Sequence, residues 1–195
     1  SPVDGVVAPV AGALTADLFL VPVTDDGGET SLRALGRDDV ELEPITSLDM
    51  TRPLARVTVT GQGSEIATGD AARAAVDAGL AAGAALLASE QLGLAQWSLE
   101  TTVEYAKTRV QFARPIGSFQ AIKHRLADLY LLLVGTQAAA RQAAGVLADD
   151  PHGPEAQIAT ATAAAYCSDA AVRATEEALQ LHGGIGMTWE APVHT

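Results

Sequence analysis

The chain has 195 residues and a formal net charge of −12, and 48% of its residues are apolar. Because nucleic-acid binding requires a broad basic surface, this acidic balance argues against a nucleic-acid partner. We find no uninterrupted apolar run of about 18 residues, so we expect no membrane span. The single Cys167 excludes an intrachain disulfide, and no N-terminal targeting signal is visible, which favours a cytoplasmic protein.

Residues 1–68 are predicted to form an incomplete antiparallel β domain. Short segments rich in apolar and β-branched residues alternate there with glycine, proline and aspartate. The predicted strands are 17–23, 30–35, 40–45 and 54–60. Val57 and Val59 alternate with threonines, as in a half-buried strand. So few strands would leave the sheet edges open unless something covers them.

Residues 69–195 are predicted to form a helical bundle. Apolar residues recur at helical spacing over three long segments, and a shorter segment follows. The predicted helices are 70–110, 119–150 and 154–181, with a short fourth helix from Met187. Ser118 is a candidate N-cap of the second helix, and Gly183 and Gly184 close the third. The expected fold class is therefore α+β, mainly α: an up-down helical bundle preceded by the incomplete β domain.

A basic segment, residues 105–128, stands out in the acidic chain. It contains no acid before Asp128. Its five cations are Lys107, Arg109, Arg114, Lys123 and Arg125. Such a segment favours either an anionic ligand or a solvated patch at helix ends, and charge alone leaves both open.

Common catalytic motifs do not occur in the sequence. It has no His-Glu-x-x-His, no paired cysteines and no Gly-x-Ser-x-Gly. The glycines from Gly183 to Gly186 do not form a dinucleotide fingerprint, because they follow a predicted helix and not a strand. We interpret His124 and His182 as polar surface or interface groups.

Two local features are suited to a nucleotide. Arg109 and Gln111 end a predicted helix before a Pro-Ile-Gly turn, where an arginine fork can hold a pyrophosphate. Gln180 precedes Gly183 and Gly184, whose bare backbone N–H groups can be approached closely. From these residues alone, anion binding and a purely structural bundle both stay open.

Two motifs, each carrying one of these features, closely resemble the C-terminal helical domain of acyl-CoA dehydrogenases. They are Tyr105-x-Lys-x-Arg109-x-Gln-Phe-x-Arg-Pro-Ile-x-x-Phe119-Gln120 and Gln180-Leu-His-Gly-Gly184-Ile-Gly-Met-Thr-Trp-Glu190. Residues 16–21 and 48–57 resemble the middle β domain of the same family. The N-terminal helical domain and the first half of the β domain have no counterpart in this sequence.

The resemblance implies an FAD enzyme that removes a proton from Cα and a hydride from Cβ of an acyl-CoA. It also implies a tetramer in which each helical domain reaches into a neighbour's flavin site. The residues implied to contact the pyrophosphate and adenosine end of a partner's FAD are Arg109, Gln111, Phe112, Gln120, Gln180, Gly183 and Gly184. Ala113 stands where the family usually has glycine, and we expect the added methyl group to be tolerated.

The sequence departs from the family at the catalytic base and at the flavin. One family position for the base glutamate falls at Gly83, and the other would lie after Thr195, so we assign no catalytic residue. Pro9 and Ala11 fall where the family has side chains against the flavin, and neither side chain can donate a hydrogen bond.

These departures lead to three hypotheses. The first is a non-catalytic or half-site subunit of an α2β2 acyl-CoA dehydrogenase. Its homologous partner would carry the base, and the substrate would be an acyl-CoA such as a steroid side-chain thioester. The second is a fragment of a conventional homotetrameric enzyme. The third is a structural bundle that binds no ligand.

Overall fold

A computed structural model describes residues 5–191 of the chain. The chain divides into two compact units, Ser1–Asp77 and Ala78–Thr195. The division falls inside the first long helix, shortly after that helix begins at Gly69. The amino-acid composition, in contrast, changes at the start of the helix.

Six strands in two three-stranded antiparallel sheets form the β unit. They are β1 (Gly5–Ala11), β2 (Leu18–Thr24), β3 (Thr30–Gly36), β4 (Val40–Ile45), β5 (Leu54–Val59) and β6 (Ser64–Thr68). The strand orders are β1-β5-β4 and β2-β3-β6. Val57 at the centre of the first sheet lies opposite Val7 and Leu42. The four predicted strands are confirmed, and β1 and β6 were not predicted.

Both sheets bury side chains in one hydrophobic core. Val57 and Val59 point into this core together with Ala55, which confirms the predicted alternation along β5. Leu35 from the second sheet is fully buried in the same cluster. Burial of apolar surface stabilises a fold by about 25 cal/mol per Å², so these buried side chains stabilise the packing of the two small sheets.

Three long helices, α1 (Gly69–Thr108), α2 (Gln120–Asp149) and α3 (Pro154–His182), follow the β unit. A two-stranded hairpin, β7 (Val110–Gln111) and β8 (Arg114–Pro115), connects α1 to α2. Proline at the first position of α3 needs no backbone donor, and Gly183 ends α3 at a φ of 63°. The three helices predicted from the sequence are confirmed.

The contacts between α2 and α3 show that these two helices run in opposite directions. Near the start of α2, Arg125 pairs with Glu177 near the end of α3 at 2.7 Å. Further along α2, the thiol of Cys167 donates to the carbonyl of Thr136 at 3.7 Å. The two backbones approach closely because their facing side chains are small. A Cβ added at Gly135 would overlap the Tyr166 hydroxyl.

Helix α1 packs against this pair through two clusters. In one, Ala85 lies with Ala140 of α2 and Ala163 of α3. In the other, Leu99 lies with Leu129 of α2 and Ala174 of α3. Residue numbers therefore rise together in α1 and α3 and fall in α2, which is the up-down topology predicted from the sequence.

Two local predictions were wrong. Ser118 does not cap α2, because its hydroxyl donates backwards to the carbonyl of Pro115 at 2.7 Å and the N-cap position falls on Phe119. No fourth α-helix begins at Met187 within the described residues. Instead, Gly183–Met187 forms a 3-10 helix, and residues 188–191 form bends and turns. Residues 192–195 lie outside the described part.

By length and composition alone, α1 is apolar enough to cross a membrane. Its most apolar 18-residue window has a mean hydropathy of 1.4, and 17% of that window is buried. We expected no membrane span from the sequence because no uninterrupted apolar run occurs. Core helices of soluble proteins share this length and composition, and α1 packs Ala85 and Leu99 against α2 and α3.

Candidate functional site

The end of α1 places Arg109 at the start of the β7–β8 hairpin. Its backbone N–H donates to the carbonyl of Tyr105 at 2.9 Å, which completes the last helical turn. Its own carbonyl accepts from the N–H of Ile116 at 2.8 Å, which closes the hairpin. Arg109 is thus held by its backbone from both sides, and its exposed side chain is left to interact with other molecules.

Phe112 and Ala113 form the tip of the hairpin in left-handed backbone conformations. Their φ angles are 54° and 62°. The left-handed region costs a non-glycine residue about 1–2 kcal/mol, because Cβ crowds the following carbonyl. We expected the cost of Ala113 to be that of one extra methyl group. In the structure, the cost of Ala113 arises from its left-handed backbone conformation, which a glycine would adopt without strain.

The ring of Phe119 packs against two residues of the hairpin. The Arg114 guanidinium lies 3.9 Å from the centre of this ring, in a cation–π contact. The ring of Phe112 meets it edge-on at 6.1 Å between centroids. The side chain of Phe112 is nevertheless 88% exposed, so most of its surface is free to contact another molecule. Gln120, the next predicted site residue, begins α2, and its amide lies 3.0 Å from the Nε2 atom of His124.

Most cations of the basic segment are already engaged. Lys107 forms an ion pair with Glu104, and Arg125 forms one with Glu177. Arg114 lies over an aromatic ring. Within residues 5–191, the side chains of Arg109 and Lys123 have no ion-pair partner. The charge available for an anion is therefore concentrated on fewer side chains than the sequence suggested.

The end of α3 forms an open backbone turn. Gly183 adopts a φ of 63°, and its N–H donates to the carbonyl of Gln180. A Cβ added at Gly183 or Gly184 would meet no heavy atom within 4 Å, so the space beside this turn is open. At Gly186, in contrast, an added Cβ would lie 2.6 Å from the carbonyl oxygen of Leu179, which shows that the turn folds back tightly onto α3.

Two stacked rings bring the ends of α1 and α3 together. The rings of Tyr105 and His182 lie 4.4 Å apart with an angle of 22° between their planes. The Tyr105 hydroxyl donates to the His182 carbonyl at 3.3 Å. Of the two interpretations of His182, the surface group was wrong, because the residue is only 5% exposed and lies in the contact between α1 and α3. This contact could not be predicted, because nothing in a single sequence relates two residues so far apart along the chain.

These features suit an anionic ligand with a nucleotide end. A guanidinium without an ion-pair partner within residues 5–191 offers a planar fork of donors, which matches a pyrophosphate. The open turn at Gly183 and Gly184 offers backbone that a ligand can approach where a side chain would block it. The residues present therefore fit the pyrophosphate and adenosine end of a dinucleotide such as FAD.

The position predicted for a catalytic base is occupied by a glycine, which has no side chain. Gly83 lies in the middle of α1, is exposed, and would have open space around an added Cβ. Pro9 and Ala11 lie on exposed positions of β1. Among residues 5–191, no three His, Cys, Asp or Glu side chains are grouped so that they could hold a metal ion.

The sequence of residues 72–195 matches the family model of the acyl-CoA dehydrogenase C-terminal domain. The chain belongs to the acyl-CoA dehydrogenase family. Members of this family are FAD-dependent flavoproteins, so the family and the cofactor predicted from the sequence are both confirmed.

Several relatives of the chain are steroid-type or mycobacterial enzymes. "Acyl-CoA dehydrogenase IpdE2" of Mycobacterium tuberculosis is 48% identical over 153 residues, which are 78% of this chain and 43% of the relative. The ChsE4-ChsE5 complex from Mycobacterium tuberculosis superposes with a TM-score of 0.84 at 31% identity, over 99% of this chain and 52% of that one. The Tcur3481-Tcur3483 steroid ACAD superposes with a TM-score of 0.81 at 28% identity, over 98% and 51%. The chain thus spans about half the length of these relatives.

Proposed function

We propose that this chain is a subunit of an FAD-dependent acyl-CoA dehydrogenase and that it contributes flavin contacts to a partner subunit's site. The observation that carries the proposal is the exposed Arg109 side chain, which has no ion-pair partner within residues 5–191 and shares one end of the bundle with the open turn at Gly183. The family's reaction is the α,β-dehydrogenation of an acyl-CoA thioester. The proposed partner is a homologous subunit, in an α2β2 assembly.

Each predicted site residue has a distinct task in this proposal. Bound FAD would accept the hydride from the substrate's Cβ. Arg109 would hold the pyrophosphate by charge-assisted hydrogen bonds, which are stronger than neutral ones. Gln111 and Gln180 would supply amide groups, and the turn at Gly183 and Gly184 would admit the adenosine end against bare backbone.

The remaining predicted contacts come from the hairpin tip and from the start of α2. Phe112 would present its exposed ring at the hairpin tip, where ring stacking on a nucleotide needs an accessible aromatic face. Gln120 would donate from the first turn of α2 after exchanging its contact with His124 for one with the ligand.

Proton abstraction from the substrate would be carried out by the partner subunit. A general base must reach the thioester α-carbon with a carboxylate or a comparable group. Of the two family positions for the base, the one that falls within this sequence is Gly83, which has no side chain to do this. On this ground we propose the non-catalytic role for this chain and place the base on the homologous subunit.

A bulky acyl group such as a steroid side chain is the proposed substrate class. Support comes from the Tcur3481-Tcur3483 relative, whose name describes a steroid enzyme, and from the heteromeric ChsE4-ChsE5 complex. Both relatives share the whole described fold of this chain at more than a quarter identity.

The first test measures FAD in the native assembly. The proposal predicts one FAD per two chains and weaker binding in Arg109→Ala. A lost charged hydrogen bond is worth about 1.5–3 kcal/mol, which corresponds to about a 10- to 150-fold higher Kd for FAD. Arg109→Lys keeps the charge but loses the fork, and should fall in between. Arg37→Ala, which removes an exposed cation of the β unit, is the matched control and should leave the Kd unchanged.

Two outcomes would contradict the proposal in different ways. One FAD per chain in an active homotetramer would favour a conventional catalytic subunit. An Arg109→Ala assembly that binds FAD as tightly as the wild type would favour a structural bundle without a flavin contact.

A further inference from the structure

Tyr105 connects the two parts of the proposed flavin contact through both its backbone and its side chain. Its carbonyl accepts from the N–H of Arg109 at 2.9 Å, so its backbone fixes the residue proposed to bind the pyrophosphate. Its ring stacks on His182, the residue directly before Gly183. A single side chain thus spans from the last turn of α1 to the last turn of α3.

His182 is held in one orientation by its own hydrogen bond. Its Nδ1 atom lies 2.7 Å from the carbonyl oxygen of Ala178, and a carbonyl can only accept. Nδ1 must therefore carry the hydrogen, which fixes the ring against α3 and sets the plane on which Tyr105 stacks. With only 5% of the residue exposed, the ring has little freedom to turn away.

The Tyr105 hydroxyl also binds the carbonyl at which α3 passes into the 3-10 helix. His182 is the N-cap of that 3-10 helix. Its carbonyl accepts from the Tyr105 hydroxyl at 3.3 Å. A purely apolar pair of similar volume could fill the same space, but it could not fix the position of this carbonyl and of the peptide that leads into Gly183.

We propose that Tyr105 and His182 are positioning residues that hold Arg109 and the Gly183–Gly184 turn at the spacing required by one FAD. This inference rests on the proposed function, since it assumes that both groups contact the same cofactor. Neither residue needs to touch the cofactor itself. Their role is to fix two binding groups that lie far apart in the sequence, which lowers the cost of ordering them when the ligand binds.

The test uses three variants in the native assembly. Tyr105→Leu removes both the stacking and the hydroxyl. Tyr105→Phe keeps the ring and removes only the hydrogen bond to His182. His182→Asn keeps a donor for the Ala178 carbonyl and removes the stacked ring. Circular dichroism and thermal unfolding identify any variant that fails to fold, and the remaining variants still decide the outcome.

Hydrogen exchange gives a readout that does not depend on enzyme activity. In His182→Asn, the amides of Arg109 and Ile116 should exchange at least about tenfold faster, although the substitution lies on another helix. A merely structural residue of α3 would instead raise exchange around its own helix end. Unchanged exchange at Arg109 and Ile116 would overturn the positioning role.

Flavin binding separates this inference from the proposed function. We expect Tyr105→Leu to raise the Kd for FAD about tenfold, and Tyr105→Phe to raise it by less than about threefold. In an Arg109→Ala background the effect of Tyr105→Leu should shrink to the part that acts through the Gly183–Gly184 turn, so the two substitutions should not be additive. Full additivity of the two substitutions would overturn the inference while leaving the flavin contact intact. A third outcome would be that hydrogen exchange changes as expected but no variant, including Arg109→Ala, alters FAD binding. The proposed function would then be refuted, whereas the coupling of the ends of α1 and α3 through Tyr105 and His182 would be confirmed.

Discussion

Gly117 lies where the hairpin region returns towards α1, and the structure leaves no room there for a side chain. An added Cβ would be 2.9 Å from the carbonyl oxygen of Ala106, 3.2 Å from its carbonyl carbon and 3.4 Å from its Cβ. All three atoms belong to α1, and two of them belong to its backbone. Because a helix backbone cannot rotate out of the way, Gly117→Ala must move the turn itself. The hydrogen bond from Ile116 to Arg109 would lengthen as a result.

The expected change in stability combines two terms. Forcing an extra carbon into a packed contact costs about 1–3 kcal/mol. Replacing glycine reduces the entropy of the unfolded chain, which returns about 0.4–1 kcal/mol. We therefore expect Gly117→Ala to lower the free energy of unfolding by about 1–2 kcal/mol. For a chain of this length each kcal/mol shifts Tm by about 2–4 °C, so the loss in Tm should be about 2–8 °C.

Gly145→Ala is the matched control. Gly145 lies inside α2 and would have no heavy atom within 4 Å of an added Cβ. The same chemical change should therefore act only through helix propensity and raise stability by up to about 1 kcal/mol. Urea unfolding followed by circular dichroism measures both variants. If Gly117→Ala unfolds at the same urea concentration as the wild type, or if both variants shift in the same direction, the contact between the turn and α1 is not what determines the residue at position 117.

Two further predictions concern single residues of the helical unit. Ala113→Gly should raise stability by about 0.5–1 kcal/mol in the same urea assay. The substitution removes the left-handed strain of about 1–2 kcal/mol. Part of this gain is offset because glycine has more conformational freedom in the unfolded chain and loses more entropy on folding. A loss of stability there would show that the alanine methyl group makes contacts outweighing the strain. Burial raises the pKa of the Cys167 thiol, so the reactive thiolate should be scarce in the folded protein. Iodoacetamide at about pH 8 should label Cys167 about 100-fold more slowly before unfolding than after it, and similar rates would contradict its burial.

The helices could be predicted from the sequence because their ends carry strong local signals. Pro154 and Gly183 mark the two ends of α3, and both act through backbone conformation that neighbouring residues do not change. The strands were harder. β1 contains Pro9, which normally argues against a strand interior, and its partner β5 is far along the chain. Pairing at that distance depends on tertiary contacts, which local patterns do not contain.

The candidate site could be predicted only in part. Its residues could be proposed because two motifs match the family, and the resemblance supplied their expected roles. Two properties of the site depend on packing and were therefore missed. One is the buried stack of Tyr105 on His182, and the other is the left-handed conformation at Ala113. The hydroxyl of Ser118 was also misjudged, because two backbone groups were within its reach and the sequence does not show which one it meets.

The buried residues of α2 and α3 are largely alanine, and Thr136 and Cys167 are the largest side chains of these two helices that are fully buried. Alanine has no rotamers, so a larger neighbour cannot be accommodated by a side chain turning aside, and only a shift of a whole helix could make room. Selection at these positions should therefore act on size before polarity. Serine or glycine can substitute at a cost of up to about 1 kcal/mol in helix propensity, whereas valine or leucine would overpack the contact at a cost of about 1–3 kcal/mol. In this part of the molecule, hydrophobicity is a poor guide to which substitutions the protein tolerates.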